Sequence, residues 1–158
     1  MNKIRFGVVG TNFITDWVIA GAREDERFEL AAVCSRTRER GEEFAAKHSI
    51  PHVFTSLEEM ASSDIVDAIY IASPNYMHCS QATLCMDYGK HVLCEKPVAM
   101  SSAELSDMIE AANKAGRSCF QNIHKHHKDG TLAAVAAQKI GQTRVAAAVL
   151  PDIVMESA

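Results

Sequence analysis

The sequence predicts an α/β fold: a doubly wound parallel sheet with helices on both faces. Short apolar runs rich in β-branched residues alternate with amphipathic helical segments throughout residues 4–123. Glycines stand where helices are expected to end, as at Gly89 and Gly116. This alternation is typical of parallel strands joined by right-handed crossovers, and ligands of such folds bind at the carboxyl ends of the strands.

The first elements follow from hydrophobic spacing. Residues 4–9 form an apolar run that ends at Gly10 and predicts the first strand. The next segment has the spacing of a helix, and its apolar residues are Phe13, Ile14, Trp17, Val18 and Ala20. Residues 28–34 then predict the second strand, and residues 37–48 predict a charged helix.

The later elements repeat the pattern. After a short strand at residues 52–54, a helix is expected to begin at Ser56, because Glu59 completes the spacing of a capping box. Residues 64–72 form the most hydrophobic run, which predicts a central strand. The remaining expectations are a helix at 75–88, a strand at 91–94, a helix at 101–115 and a strand at 118–123.

The pattern changes after residue 123. A stretch rich in His and Lys leads into an alanine-rich helix at residues 131–140 and an apolar run at residues 143–150. We therefore expect one domain over residues 1–123 and the truncated start of a second domain over residues 124–158. An open strand there must pair with the first domain's sheet or with another chain, and the latter would make a homo-oligomer.

Composition argues against several classes of function. A formal net charge of −4 gives no general attraction to nucleic acid, and the apolar runs are too short to cross a membrane. The start does not read as a signal peptide, so we expect a cytoplasmic protein, and cysteines without C-x-x-C spacing favour reduced thiols. His124, His126 and His127 have only Asp129 as an acidic neighbour, which favours solvated histidines over a metal site.

The turn after the first strand is a candidate pyrophosphate-binding loop, because free backbone N–H groups and a helix dipole meet there. The fingerprint G-x-G-x-x-G falls on Gly10, Asn12 and Thr15, so only its first glycine is kept. Asn12 tolerates positive φ but places a side chain where close backbone approach is wanted, and Thr15 would push helix and sheet slightly apart. A plain tight turn is the alternative interpretation.

The end of the second strand bears on the choice of nucleotide. It runs into Ser35, Arg36 and Thr37, and lacks the carboxylate that NAD-specific folds place there for the ribose hydroxyls. A guanidinium suits a 2′-phosphate, so NADP is favoured over NAD. The alternative is that Arg36 and Arg38 are solvated residues in the first turn of the next helix.

The fourth and fifth predicted strands run into Ser73-Pro74-Asn75-Tyr76-Met77-His78 and Glu95-Lys96-Pro97. With the turn at Gly10 and with Cys34-Ser35-Arg36, these stretches resemble the Gfo/Idh/MocA family of oxidoreductases, in the same order and spacing. The resemblance implies a Rossmann-like domain that binds NADP or NAD. It also implies hydride transfer between the nicotinamide and a sugar- or polyol-like substrate.

The resemblance implies roles for individual residues as well. Lys96 is the implied catalytic residue, helping to move the hydroxyl proton while hydride is transferred. The expected cofactor-binding residues are Gly10, Thr11, Asn12, Phe13, Ile14, Ser35, Arg36, Thr37, Ser73, Pro74, Asn75, His78, Glu95 and Lys96. The alternatives are a solvated Glu95–Lys96 pair and a His78 that is merely a first-turn helix residue.

In the family, a large second domain supplies most of the substrate pocket. Here Gln121-Asn122-Ile123-His124 stands where related sequences often read Glu-Ala-Tyr-Arg, and only the first helix and strand of that domain are expected. Because transition-state binding needs a closed pocket, two hypotheses stay open. The chain is either an NAD(P)-dependent oxidoreductase lacking most of its substrate domain, or a non-catalytic dinucleotide-binding or protein-interaction module.

Overall fold

The computed structural model describes residues 3–122 and 145–148. Its strands are β1 (Ile4–Val9), β2 (Phe28–Cys34), β3 (His52–Phe54), β4 (Ala68–Ile71), β5 (His91–Glu95), β6 (Cys119–Asn122) and β7 (Val145–Ala148). Its helices are α1 (Phe13–Ala22), α2 (Arg38–His48), α3 (Leu57–Ser62), α4 (His78–Asp87) and α5 (Ser102–Ala115). A 3-10 turn at Asn75–Met77 precedes α4.

All neighbouring strands pair in parallel, in the order β3-β2-β1-β4-β5-β6-β7. The chain first builds outward from β1 through β2 to β3, and then crosses to the other side of β1 to add β4 and the later strands. The predicted doubly wound α/β fold is thus confirmed. The loops that follow β1 and β4 face the point where the strand order reverses, which is where ligands bind in such sheets.

Strand β4 is central, as its hydrophobicity predicts. Its four residues are all buried, and successive side chains alternate between the two faces of the sheet. Ile69 and Ile71 belong to the core cluster on the face covered by α3, α4 and α5. Tyr70 belongs to the opposite cluster, which includes Ile19 of α1 and Phe44 of α2. Helices therefore cover both faces of this strand.

The expected start of β4 at residue 64 is wrong, since the strand begins at Ala68. Lys90 Nζ donates to the carbonyl oxygens of Ser63 (2.7 Å) and Val66 (2.8 Å), so a side chain satisfies this backbone. The Asp67 carboxylate accepts hydrogen bonds from the Arg5 side chain at 3.0 and 2.7 Å, which lowers the pKa of Asp67. Apolar composition alone does not reveal these partners.

The buried face of α1 differs from the simplest reading of its apolar spacing. Phe13 and Trp17 are 61% and 63% exposed and make an edge-to-face contact with each other at 5.2 Å. The residues that α1 buries are Thr15, Ile19 and Ala22. Because apolar residues lie on two sides of this helix, its pattern does not decide which side packs on the sheet.

Hydroxyl side chains begin three of the helices, and one of them is Ser56, where the sequence predicts a cap. The hydroxyls of Thr37, Ser56 and Ser101 accept hydrogen bonds from backbone N–H groups in the first turns of α2, α3 and α5. Gly116 ends α5 with φ +63°, and Gly89 follows α4 with φ +77°. None of the helices in the described ranges is long and apolar enough to cross a membrane.

The apolar run expected at residues 143–150 contains β7, which pairs in parallel with β6. It extends the domain's own sheet, the first of the two pairings considered above. The helix expected at residues 131–140 and the histidines His124, His126 and His127 lie outside the described residues. The domain boundary after residue 123 stays a prediction.

The five cysteines have free thiols. Four of them are buried, and burial raises the pKa of Cys34 to about 11 and that of Cys119 to about 12. The reactive thiolate is therefore disfavoured, and these residues act as small core side chains. Within residues 3–122 and 145–148, no group of three or more His, Cys, Asp or Glu side chains is arranged to hold a metal ion.

One histidine makes the fold sensitive to moderate acid. His91 Nδ1 accepts a hydrogen bond from the Ser118 backbone N–H at 3.0 Å, and burial lowers the pKa of His91 from 6.5 to about 4. The unfolded chain therefore binds this proton below about pH 6.5, while the folded chain does so only near pH 4. The stability that His91 contributes is complete above about pH 6.5 and is lost as the pH falls towards 4.

We predict that the free energy of unfolding falls by about 1 kcal/mol less between about pH 7 and about pH 5 in His91→Asn than in the wild type. The Asn side chain keeps an acceptor but does not titrate. Urea unfolding at both pH values measures the difference, and His52→Asn, at an exposed histidine of β3, is the control. Equal losses in wild type and His91→Asn would contradict the assignment.

Candidate functional site

Gly10 sits where the loop after β1 comes closest to the end of β4. Its φ is +99°, and a Cβ at this position would lie 2.7 Å from the Ala72 carbonyl oxygen. Both the conformation and the contact exclude an ordinary side chain. The fold therefore requires the first glycine of the fingerprint. Only a residue without a side chain lets the loop after β1 lie this close to the end of β4.

Asn12 has a different role from the one expected. Its φ is −89°, so it does not use the positive-φ region. Its Oδ1 accepts hydrogen bonds from the Ile14 and Thr15 backbone N–H groups, at 2.9 and 3.3 Å, and its Nδ2 donates to the Ala72 carbonyl oxygen at 2.9 Å. Asn12 thus caps α1 and ties the loop after β1 to the end of β4.

Thr15 stands at the third position of the fingerprint, where a glycine is usual. The residue is fully buried, and its Oγ1 donates to the Gly10 carbonyl oxygen at 3.1 Å. The hydroxyl therefore closes the loop from within. The polar atom of the side chain is satisfied, so Thr15 can replace the third fingerprint glycine without an unpaired buried group.

The loop retains donors for an anion. Among the described residues, no protein acceptor is found for the backbone N–H groups of Thr11, Asn12 and Phe13. Asn12 and Phe13 are exposed, and these amides lie at the positive end of the α1 dipole. A pyrophosphate is an anion that could accept hydrogen bonds from these amides, and the absence of a side chain at Gly10 leaves the loop backbone accessible to it. Ile14, by contrast, uses its N–H in the cap of α1.

The end of β2 presents one buried and two exposed candidate residues. Ser35 is buried and its N–H donates to the Phe54 carbonyl oxygen at 3.0 Å. Thr37 is exposed and caps α2. Arg36 is exposed too, and within the described part of the chain its guanidinium has no ion pair or hydrogen bond. It is available to an anionic ligand, whereas Arg38 lies 3.8 Å from Glu42.

The end of β4 is an ordered polar loop. Ser73 is partly buried, and its Oγ donates to Gln81 Oε1 of α4 at 2.5 Å. Pro74 and Asn75 are exposed and begin the 3-10 turn that leads into α4. The loop is therefore fixed at Ser73 and open to solvent in the next two residues, so these can line a crevice.

The end of β5 separates its two charged residues. Glu95 is 4% exposed and accepts a hydrogen bond from the Tyr70 hydroxyl of β4 at 2.5 Å. The carboxylate is turned towards the sheet, so the interpretation of Glu95 as half of a solvated pair is wrong. Lys96, the next residue, is exposed and precedes Pro97 across a cis peptide bond.

His78 lies in the first turn of α4, the position that both interpretations of this residue gave it. It begins α4 but is completely buried. Its Nδ1 lies 2.7 Å from the Pro97 carbonyl oxygen, and its Nε2 lies 2.8 Å from the Ser73 carbonyl oxygen. Both ring nitrogens face protein, so direct contact between this side chain and a dinucleotide is not supported by the geometry.

Sequence reasoning missed Tyr70 and Gln81, the partners of Glu95 and Ser73. Tyr70 lies in the most apolar strand, so the sequence pattern predicts it only as a core residue. A buried tyrosine nevertheless needs a hydrogen-bond partner for its hydroxyl, and this requirement could have indicated Tyr70. Gln81 lies one helical turn after His78, so its position on the same side of α4 could have been inferred from spacing. Neither carries a motif that marks it as functional.

Comparison with known proteins identifies the origin of this arrangement. Residues 4–124 match the model of the oxidoreductase family with an NAD-binding Rossmann fold, GFO_IDH_MocA. The chain is 49% identical to the scyllo-inositol 2-dehydrogenase (NADP(+)) of Bacillus subtilis over 141 residues, which cover 82% of this chain and 43% of that protein.

Solved structures agree. The WlbA dehydrogenase from Bordetella pertussis, in complex with NADH and UDP-GlcNAcA, is 32% identical with a TM-score of 0.70, over 77% of this chain and 37% of that one. KijD10, a 3-ketoreductase from Actinomadura kijaniata in complex with NADP and TDP-benzene, is 26% identical with a TM-score of 0.72, over 77% and 37% of the two chains.

The chain spans less than half the length of curated relatives such as the scyllo-inositol 2-dehydrogenase. The matched portion contains the parallel sheet, the loop at Gly10 and the strand ends described above. The chain belongs to the Gfo/Idh/MocA family of oxidoreductases, of which it forms the NAD(P)-binding Rossmann domain.

Proposed function

We propose that this domain binds NADP(H) in preference to NAD(H) and serves hydride transfer between the nicotinamide and a sugar- or polyol-like substrate. The observation that carries the proposal is the alignment of three groups along one edge of the sheet. These are the amides after β1, the Arg36 guanidinium after β2 and the exposed Lys96 after β5. Neither the amides nor the guanidinium has a hydrogen-bond or ion-pair partner within residues 3–122 and 145–148. A dinucleotide is long enough to meet all three, because adjacent strands are only about 5 Å apart.

The order of the strands gives each part of the nucleotide a partner. With the pyrophosphate on the amides of Thr11, Asn12 and Phe13, the adenosine half extends over β2 towards Arg36. The guanidinium there suits a 2′-phosphate, which it can bind through two hydrogen bonds. The nicotinamide half extends the other way, over Ser73 and Lys96.

Known relatives bear on the nucleotide and on the substrate. The scyllo-inositol 2-dehydrogenase is named for NADP(+), and the KijD10 complex contains NADP. The WlbA complex contains NADH, so family membership alone does not choose between the two. The preference for NADP(H) therefore rests on Arg36. One relative is named for a cyclic polyol, scyllo-inositol, and the WlbA complex contains a nucleotide sugar, UDP-GlcNAcA. Both compounds support a substrate with several hydroxyl groups.

Lys96 is the residue we assign to proton transfer. NADP(H), when bound, supplies the acceptor or donor of hydride. The Lys96 side chain is exposed, and its backbone is held by the buried Glu95 on one side and by Pro97 on the other. From there Nζ can bind the reacting oxygen of the substrate, holding or releasing the hydroxyl proton as hydride is transferred.

A second candidate function is a dinucleotide-binding module without turnover. The burial of Glu95 and His78 favours it, because their polar atoms are used in hydrogen bonds within the protein. In the loops after β4 and β5, Lys96 is then the one charged side chain exposed for proton transfer. Binding and turnover must therefore be measured separately.

Replacing Gly10 tests the pyrophosphate loop. In Gly10→Ala, a methyl group would meet the Ala72 carbonyl oxygen. We therefore predict that NADPH binding is lost and that the free energy of unfolding falls by about 2 kcal/mol. Gly116→Ala is the matched control: its φ is also positive, but nothing lies within 4 Å of the added Cβ. It should cost about 1 kcal/mol and leave binding unchanged. Nucleotide fluorescence measures NADPH binding, and urea unfolding measures the free energy of unfolding. Normal NADPH binding by Gly10→Ala would refute the assignment of this loop to the pyrophosphate.

Replacing Arg36 tests the preference for NADP(H). We predict that Arg36→Ala weakens NADPH binding about tenfold and NADH binding less than about twofold, because only NADPH carries the 2′-phosphate. Fluorescence titrations with both nucleotides provide the measurement. Lys114→Ala, at an exposed lysine of α5, controls for loss of positive charge. Equal weakening of both nucleotides would rule out a 2′-phosphate site at Arg36.

Replacing Lys96 tests turnover. If the chain oxidises scyllo-inositol with NADP(+), we predict that Lys96→Met lowers the rate at least about a hundredfold while NADPH affinity changes only a fewfold. Absorbance of NADPH reports the rate, and Lys114→Ala again serves as the control. Turnover that survives in Lys96→Met would reject the proton-transfer role. Nucleotide binding without turnover on a panel of polyols and sugars would favour the second candidate function.

A further inference from the structure

His78 connects the two loops that flank the proposed nicotinamide site. One ring nitrogen lies 2.8 Å from the Ser73 carbonyl oxygen, in the loop after β4, and the other lies 2.7 Å from the Pro97 carbonyl oxygen, in the loop after β5. Strands β4 and β5 are neighbours, but their paired residues end at Ile71 and Cys94. Beyond that point the ladder no longer holds the two loops together, and His78 lies between them.

The chemistry of this contact is demanding. A carbonyl oxygen is only an acceptor, so the ring must donate in each contact. A neutral imidazole has one N–H and can satisfy one carbonyl at a time, whereas the imidazolium donates to both. No other single side chain has two donors on opposite sides of a rigid ring, and the site is completely buried, so water does not substitute for a lost donor.

The hydrogen bonds of His78 and of nearby residues restrain the backbone on both sides of Lys96. Pro97 is the residue after Lys96, so a hydrogen bond to its carbonyl oxygen restrains the backbone that carries the lysine. Ser73 is held from a second side by Gln81, through its hydroxyl. On the other side of Lys96, Glu95 accepts from Tyr70 of β4. Lys96 is thus exposed itself but flanked on both sides by buried hydrogen bonds that reach β4 or its loop.

We infer that His78 is a positioning residue, which sets the distance between the Ser73 loop and the Lys96 backbone and thereby shapes the nicotinamide half of the site. The inference rests on the proposed NADP(H) binding. His78 acts without touching the nucleotide. The adenosine half, bound by the Gly10 loop and Arg36, lies on the other side of β1 and should be insensitive to it.

The experiment compares a whole nucleotide with its adenosine half. NADPH affinity is measured by fluorescence, and the affinity of 2′,5′-ADP, which lacks the nicotinamide half, is measured by calorimetry. His78→Phe keeps a ring but removes both donors, and His78→Gln keeps donors on one side only. Met86→Ala is the control for general destabilisation, because Met86 is equally buried on α4, about 12 Å further along the helix.

The expected result is that His78→Phe weakens NADPH binding about tenfold, with His78→Gln intermediate, while 2′,5′-ADP affinity stays within about twofold. Met86→Ala should lower the melting temperature without changing either affinity. In a Lys96→Met background, the effect of His78→Gln on NADPH affinity should be smaller than in the wild type, because part of it acts through the Lys96 side chain and the rest through the Ser73 loop.

Other results would overturn the inference. Unchanged NADPH affinity in folded His78→Gln, or equal weakening of NADPH and 2′,5′-ADP, would make His78 a purely structural residue; if His78→Phe fails to fold, His78→Gln decides. A wild-type chain that binds neither ligand would overturn the proposed function and this inference together. Wild-type binding of both ligands with unaffected variants would overturn the inference alone.

Discussion

The Ala72 carbonyl oxygen, at the end of β4, is the point on which the site depends. It accepts a hydrogen bond from Asn12 Nδ2 and lies 2.7 Å from where a Cβ of residue 10 would be. The same Asn12 side chain caps α1. One side chain therefore sets how closely the loop approaches the sheet and where the helix begins. Because the loop is held there, the amides of Thr11, Asn12 and Phe13 keep their direction without a ligand, which lowers the entropic cost of binding an anion.

The other side of the site is built by a different means. The Gly10 loop is held by its backbone geometry and by the Asn12 and Thr15 side chains, which bond to backbone carbonyl oxygens. The ends of β4 and β5 are joined instead by side chains that reach from one strand or loop to the other. Tyr70 binds Glu95 between the strands, and His78 spans the loops beyond them. Buried polar contacts of this kind specify one arrangement when all partners are satisfied, and they are costly when one partner is lost. An exposed Lys96 can thereby have a defined position.

Much of the fold was predictable because it depends on local patterns. Apolar runs, capping hydroxyls and helix-ending glycines lie in sequence order, and they yielded the strands and helices with errors mainly at the ends. The errors have identifiable causes. The segment before β4 is satisfied by Lys90 rather than by a strand, and α1 has apolar residues on two sides, so Phe13 and Trp17 are exposed. In the first case the deciding partner, Lys90, lies more than 20 residues away in the sequence.

For the site, the sequence by itself determined which segments meet, because the carboxyl ends of parallel strands share one edge. It also indicated the chemistry there: a loop with amide donors, a strand end with Arg36 and a Glu-Lys-Pro motif that indicates the family. Only the tertiary structure decided how these residues are used. It turned Asn12 into a cap and withdrew Glu95 and His78 from solvent into contact with Tyr70, Ser73 and Pro97. The physical reason is that hydrogen bonding and burial depend on distances between segments, and a one-dimensional pattern does not contain those distances.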